Sequence, residues 1–97
     1  MSSPPGLSGD GSGRVVARRD AHERYTASCL LVLPPIGNAV ELNGPAALVW
    51  ELLRGDTPAE DIAPIVAEIY RQDLARVAPL VHDTLEQLRA TGLTTNA

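Results

Sequence analysis

The sequence predicts an α+β fold in which a three-stranded antiparallel sheet is followed by three helices. Three observations predict it. Short apolar runs of strand length, such as Ala27 to Leu33, fall before residue 43. From Leu48 onward, apolar residues recur at steps of three and four, the spacing of one helix face. Gly55, Thr57-Pro58 and Gly92 interrupt those stripes as stop and start signals. At 97 residues the chain has room for one domain with a modest core.

The elements follow in order. Residues 1–13 are rich in Ser, Gly and Pro, with too little apolar surface to offset ordering entropy, and are expected to form a disordered tail. That leaves 14–97 as a single domain. Arg14 to Arg18 is a short strand candidate, and Asp20 to Arg24 a polar connection with Tyr25 in the same loop. Ala27 to Leu33 gives the strongest strand signal. Pro34-Pro35-Ile36-Gly37 forces a turn, because two prolines remove two ladder donors and glycine tolerates positive φ. Asn38-Ala39-Val40-Glu41-Leu42 then alternates, so the two runs make an antiparallel hairpin.

Asn43 is positioned as an N-cap and Pro45 in the first turn of the first helix, where a missing N–H costs nothing. Leu48, Val49, Leu52 and Leu53 supply its buried stripe, with Trp50 on the flank as core, and Gly55 ends it. Thr57-Pro58-Ala59-Glu60 reads as a capping box that opens the second helix. Ile62, Ile65, Val66, Ile69 and Tyr70 form its apolar stripe. Val77, Leu80, Val81, Thr84, Leu85 and Leu88 mark the third helix. Pro79 predicts that its regular part starts near Ala78, with Leu74 to Val77 as a separate or kinked lead-in. Gly92 and Leu93 predict a Schellman-type end. The order of elements suggests a winged helix-turn-helix-like arrangement, with helices covering one face of the sheet and at least one strand edge unpaired.

Charge and composition narrow the function. Residues 1–42 hold four Arg and four acids, whereas residues 43–97 hold four Arg against eight acids and carry the whole net charge of −4. An acidic helical half is a poor partner for a phosphate backbone and suits a basic peptide better. The third helix balances Arg76 and Arg89 against Asp83 and Glu86, and its first turn offers few base-reading side chains. A nucleic-acid partner is therefore not expected. No apolar run approaches the roughly 20 residues of a membrane span, so no membrane partner is expected. The N-terminus lacks a signal-peptide pattern, so a cytoplasmic location is expected.

Catalytic and metal chemistry find no constellation. His22 and His82 lie sixty residues apart with only Cys29 between them, and no metal-ligand spacing or phosphate-binding glycine loop is present. Cys29, in an apolar run, reads as a small core residue. Asp56, Glu60 and Asp61 read as helix-start charges rather than acid–base groups. The expectation is a non-enzyme with no metal and no cofactor.

The Leu42-Asn43 helix start, the run Ala47-Leu48-Val49-Trp50-Glu51-Leu52-Leu53-Arg54-Gly55, the Thr57-Pro58-Ala59-Glu60 box and the ending Leu88 to Gly92-Leu93 carry a resemblance. In that order and separation they resemble the PqqD-like peptide-binding domains, also called RiPP precursor recognition elements, over residues 27–93. The chain departs from the family pattern at Pro34-Pro35, Pro79 and Leu80. The resemblance implies a stand-alone, non-catalytic protein that binds the leader of a ribosomally made precursor peptide. It would present that leader to a separate modifying enzyme in natural-product biosynthesis: a radical-SAM protein, a leader protease of the lasso-peptide type, or a cyclodehydratase. In the family the leader adds as a strand beside the third strand and packs on the third helix. Carried onto this sequence, the strand edge is Asn38, Ala39, Val40, Glu41 and Leu42. The helix wall is Leu74, Val77, Val81 and Leu85, and from the residues alone the same positions serve equally well as core. Two alternatives stand beside this reading: a scaffold or dimerisation module, and a winged-helix DNA-binding protein.

Overall fold

The computed structural model describes residues 15–96. In chain order the elements are β1 (Val15–Ala17), β2 (His22–Tyr25), β3 (Leu30–Leu33), β4 (Val40–Leu42), α1 (Pro45–Arg54), α2 (Ala59–Tyr70), α3 (Leu74–Ala90) and β5 (Thr94–Asn96). The expected tail, residues 1–13, lies outside the described residues. Strands β2, β3 and β4 form an antiparallel sheet in that order, followed by the three helices, as the sequence predicts.

The sheet's membership differs from the sequence reading. Within the run at 14–18, Val15–Ala17 forms β1, but β1 pairs with β5 in a separate two-stranded sheet, Val15 opposite Asn96 and Ala17 opposite Thr94. The strand that completes the main sheet is His22–Tyr25, from the stretch expected to be a connection. All four of its residues are exposed, so it has no apolar alternation to read. Backbone pairing makes it a strand, from His22 opposite Leu33 to Tyr25 opposite Leu30. A tight turn enforces that register. The Thr26 N–H donates to the Cys29 carbonyl at 2.8 Å, and Thr26 Oγ1 accepts from the Ser28 and Cys29 amides at 3.3 and 3.1 Å. The turn shortens the expected strand at 27–33 to Leu30–Leu33 and leaves Cys29 half-buried beside it rather than in the core.

The β3–β4 hairpin forms as expected, with Leu30 opposite Leu42, Leu31 opposite Glu41 and Val32 opposite Val40. Its turn uses Gly37 at φ +115°, a conformation that only glycine adopts readily.

Backbone groups cap the helices where side chains were expected. Gly44, not Asn43, is the N-cap of α1, and Asn43 contributes its carbonyl to the Ala46 N–H at 3.0 Å. Pro45 takes the first helical position, as expected. The left-handed residue after α1 is Asp56 at φ +66°, one position beyond Gly55. The N–H groups of Asp56 and Thr57 donate to the carbonyls of Leu53 and Leu52, each at 3.0 Å, completing a Schellman end. A short polar side chain tolerates that backbone, and the Asp56 carboxylate also accepts from the Arg19 guanidinium. Because the Thr57 N–H is already used, Glu60 cannot close the expected capping box, and α2 starts at Ala59 without a side-chain cap.

Helix α3 begins at Leu74, not near Ala78. The N–H groups of Arg76 and Val77 donate to the Asp73 carbonyl at 3.0 and 3.1 Å, so the first turn is closed ahead of Pro79. Pro64 in α2 and Pro79 in α3 both stand inside their helices. Each removes the bond to the carbonyl four residues back, on Glu60 and Ala75. Both of those residues and both prolines are exposed, so water can serve the orphan oxygens and the helices continue. The end of α3 is as expected: Gly92 at φ +78°, with the Leu93 N–H on the Leu88 carbonyl at 2.9 Å.

One core joins these elements. The sheet contributes Leu30, Val32, Val40 and Leu42, and α1 contributes Val49, Trp50 and Leu53. Ile62, Val66 and Ala67 come from α2, and Val77, Val81 and Leu88 from α3, with Leu93 closing the end. Thr84 is buried among them and satisfies its hydroxyl by donating to the Leu80 carbonyl at 2.9 Å. The stripe of α2 runs past the core: Ile65 is half-buried, and Ile69 and Tyr70 are exposed.

Candidate functional site

Strand β4 is an outer strand of its sheet and pairs only with β3 among the described residues. Its side chains alternate: Val40 and Leu42 point into the core, and Glu41 points away. Asn38 and Ala39 precede the strand and are exposed. The strand is thus fixed through its side chains, while one row of backbone N–H and C=O groups has no partner strand.

Where β4 ends, the chain turns through Asn43 and Gly44 into Pro45, and a groove opens there. It has a volume of about 380 Å³ and is lined by Pro45, Val66, Tyr70, Gln72, Arg76, Val77 and Leu80. The corner between α2 and α3 builds it. Val66 and Val77 are the buried floor, and Tyr70 and Leu80 are exposed apolar walls. A Cβ added at Gly44 would stand 4.0 Å from the Tyr70 hydroxyl, which places that phenol beside the β4–α1 turn. Ile69 and Leu74, 58% and 49% exposed, extend the apolar surface around the same corner.

Of the further hollows, two include expected site residues. One, of about 370 Å³, is formed by the C-terminal half of α3 with β1 and β5, and includes Val15, His82, Leu85, Arg89 and Thr95. The other lies on the outer face of the sheet over Leu31, Leu33 and Ala39, flanked by His22 and Arg24.

Polar side chains on the inner face of β2 attach the sheet to α1. Trp50, wholly buried, donates its indole N–H to Glu23 Oε2 at 2.5 Å. The Arg54 guanidinium stacks over the Trp50 ring at 5.8 Å, donates to the Ala21 carbonyl at 3.3 Å and brings Nε to 3.6 Å from Glu23. Tyr25 donates its hydroxyl to the Glu51 carboxylate. That hydrogen bond favours the neutral phenol and pushes the pKa of Tyr25 up to about 12.

The expected site residues fall into separate places. Val40 and Leu42 are core by their side chains and can offer a ligand only the backbone of the strand edge. Val77 lines the groove. Leu74 is exposed beside the groove's corner, and Val81, 3% exposed, is in the core. Leu85 is half-buried on the other hollow, with β1 and β5. Sequence reasoning missed Pro45, Val66, Tyr70, Gln72, Arg76 and Leu80 as groove residues. Its available signal was the α2 stripe: Ile69 and Tyr70 continue it one turn beyond what the core consumes. Tyr25 also differs from expectation, being the last residue of β2 rather than a loop residue.

Among the described residues no group of three His, Cys, Asp or Glu side chains is placed to hold a metal ion. No helix among them is long and apolar enough to cross a membrane. Compared with known protein families, residues 19–93 match the model described as Coenzyme PQQ synthesis protein D (PqqD). No curated protein and no solved structure gives a significant match.

Proposed function

Because the chain belongs to the PqqD family, we propose that it binds the leader segment of a ribosomally synthesised precursor peptide and presents it to a separate modifying enzyme. In this reading the chain is a non-catalytic accessory of natural-product biosynthesis. The leader adds as a fourth strand along β4 and continues over the groove between α2 and α3.

The observation that carries the reading is the continuity of edge and groove. The open edge of β4 runs through Gly44 into the apolar groove at Pro45, Val66, Val77 and Leu80. Strand addition needs both parts. Backbone pairing supplies affinity without regard to sequence, and a side-chain pocket beside the edge supplies register and selectivity. The partner enzyme is a radical-SAM protein, a leader protease or a cyclodehydratase.

The test is a titration with a synthetic leader of the precursor encoded next to this chain's gene, followed by amide chemical shifts. Saturable shifts in 38–45 and 66–80 are expected. Leu80→Asp, on an exposed wall, should weaken binding with the fold intact, whereas a charge at Val40 or Val77 would disturb the core. A leader N-methylated at alternate amides should lose binding in one phase and keep it in the other, because only every second amide faces the receiving strand. Equal binding of both phases would exclude strand addition. Absence of shifts at high leader concentration would exclude the leader as ligand.

A further inference from the structure

The charge inside the groove opposes the charge of the surrounding half of the chain. Residues 43–97 carry the net −4, yet the groove lining contains no acid and one cation, Arg76. Arg76 has no carboxylate partner: the ion pairs among the described residues are those of Arg18, Arg19, Arg54 and Arg89. It stands in the first turn of α3, just after the N-cap Asp73, whose side chain makes no capping hydrogen bond and no ion pair with Arg76. Asp73 offsets part of the positive end of the helix, but the Arg76 guanidinium itself has no paired carboxylate among the described residues. The fold thus holds an unpaired guanidinium at the rim of an apolar groove.

A carboxylate brought there by a ligand would pair with Arg76. Gln72 and the Tyr70 hydroxyl add neutral polar groups at the same rim. The floor of Val66 and Val77, walled by Leu80, takes an apolar side chain. We propose that the groove selects a peptide segment in which a large apolar residue lies close in sequence to Asp or Glu, the carboxylate pairing with Arg76. The proposal rests on the peptide-binding reading and adds to it the chemistry of the residue that is read. It reverses at this site the preference for a basic peptide that the charge of the helical half suggests.

The experiment replaces each Asp and Glu of the synthetic leader in turn by its amide and measures affinity by fluorescence anisotropy. One replacement should weaken binding about two- to fivefold, the range of an exposed ion pair. The loss should shrink as salt is raised. Arg76→Glu should weaken the native leader by at least as much. Replacing the sensitive acid by Lys should then restore part of the affinity for that variant while weakening binding to the native chain. That crossed pattern separates a direct pair from a general charge effect. If the leader binds and every amide replacement is neutral, or if Arg76→Glu binds it as well as the native chain does, the acid preference is wrong and the peptide-binding reading survives. If the native leader does not bind, both fall together.

Discussion

The two outer strands of the main sheet are attached to the rest of the molecule by opposite means. β4 is attached by burial: Val40 and Leu42 are 4% and 1% exposed, and only Glu41 faces water. β2 buries none of its residues and is attached by polar reach, Glu23 to Trp50 and Arg54, and Tyr25 to Glu51. The difference teaches which edge would better suit the proposed peptide. β2 carries His22, Glu23 and Arg24 in succession, a charged edge of the kind that discourages added strands. β4 carries a single charge and leads into an apolar groove. A strand anchored by its inward side chains has its backbone edge to spare.

That contrast can be broken by mutation. The largest effect is expected at Leu42→Ala, which empties a fully buried site and should cost about 2–5 kcal/mol in urea unfolding. Glu23→Ala should cost less, about 1–3 kcal/mol, because it strands the Trp50 indole N–H without an acceptor. Glu23→Gln keeps an acceptor oxygen and should recover part of that loss. If Glu23→Ala matched or exceeded Leu42→Ala, the division between a buried strand and a tethered strand would fail.

The smallest effect concerns Tyr25. Its pKa rises from an ordinary 10.0 to about 12 through the Glu51 hydrogen bond, so the folded state favours the neutral phenol. The resulting stabilisation is full below pH 10 and is lost as pH climbs through about 12. Tyr25 is 63% exposed, so solvent screening holds the contribution below about 1 kcal/mol. Ultraviolet titration should show one of the two tyrosines ionising late, and Tyr25→Phe should remove that phase. An unchanged late phase in the variant would overturn the Tyr25–Glu51 tether at the end of β2.

Legibility in the sequence follows the same division. Elements that bury a periodic stripe were readable: the β3–β4 hairpin, the three helices and the Gly92-Leu93 stop. β2 was not, because four exposed residues have no hydrophobic period, and its strand state comes from the Thr26 turn and from its partner. β5 was missed for a related reason, since Thr94 to Asn96 becomes a strand only by meeting β1 from the far end of the chain. The capping box at Thr57 is a correct local signal overruled by its neighbour, because one N–H cannot serve both Leu52 and Glu60. Pro79 misled because the cost of an in-helix proline depends on whether the orphan carbonyl meets water, which a sequence alone does not state. The open edge of β4, the strand half of the proposed site, was legible from the hairpin. The groove was only partly so, because Leu80 and Tyr70 obey the same spacing as the core and only packing shows which members of a stripe are left over.

The pairing of β1 with β5 has a topological consequence. Val15 stands opposite Asn96, so the described chain is nearly a closed ring. A short flexible linker across that junction would join the ends with little added entropy. New ends cut into the exposed residues Pro35 to Gly37 of the β3–β4 turn would then give a circular permutant with the same core. The junction lies by Leu85 and Arg89, whereas the groove uses Arg76 and Leu80 of the same helix. From Arg76 to Arg89 is about 20 Å at 1.5 Å per residue. A larger protein joined directly at Val15 or at Asn96 would therefore be tethered from one shared corner, about a helix length from the groove.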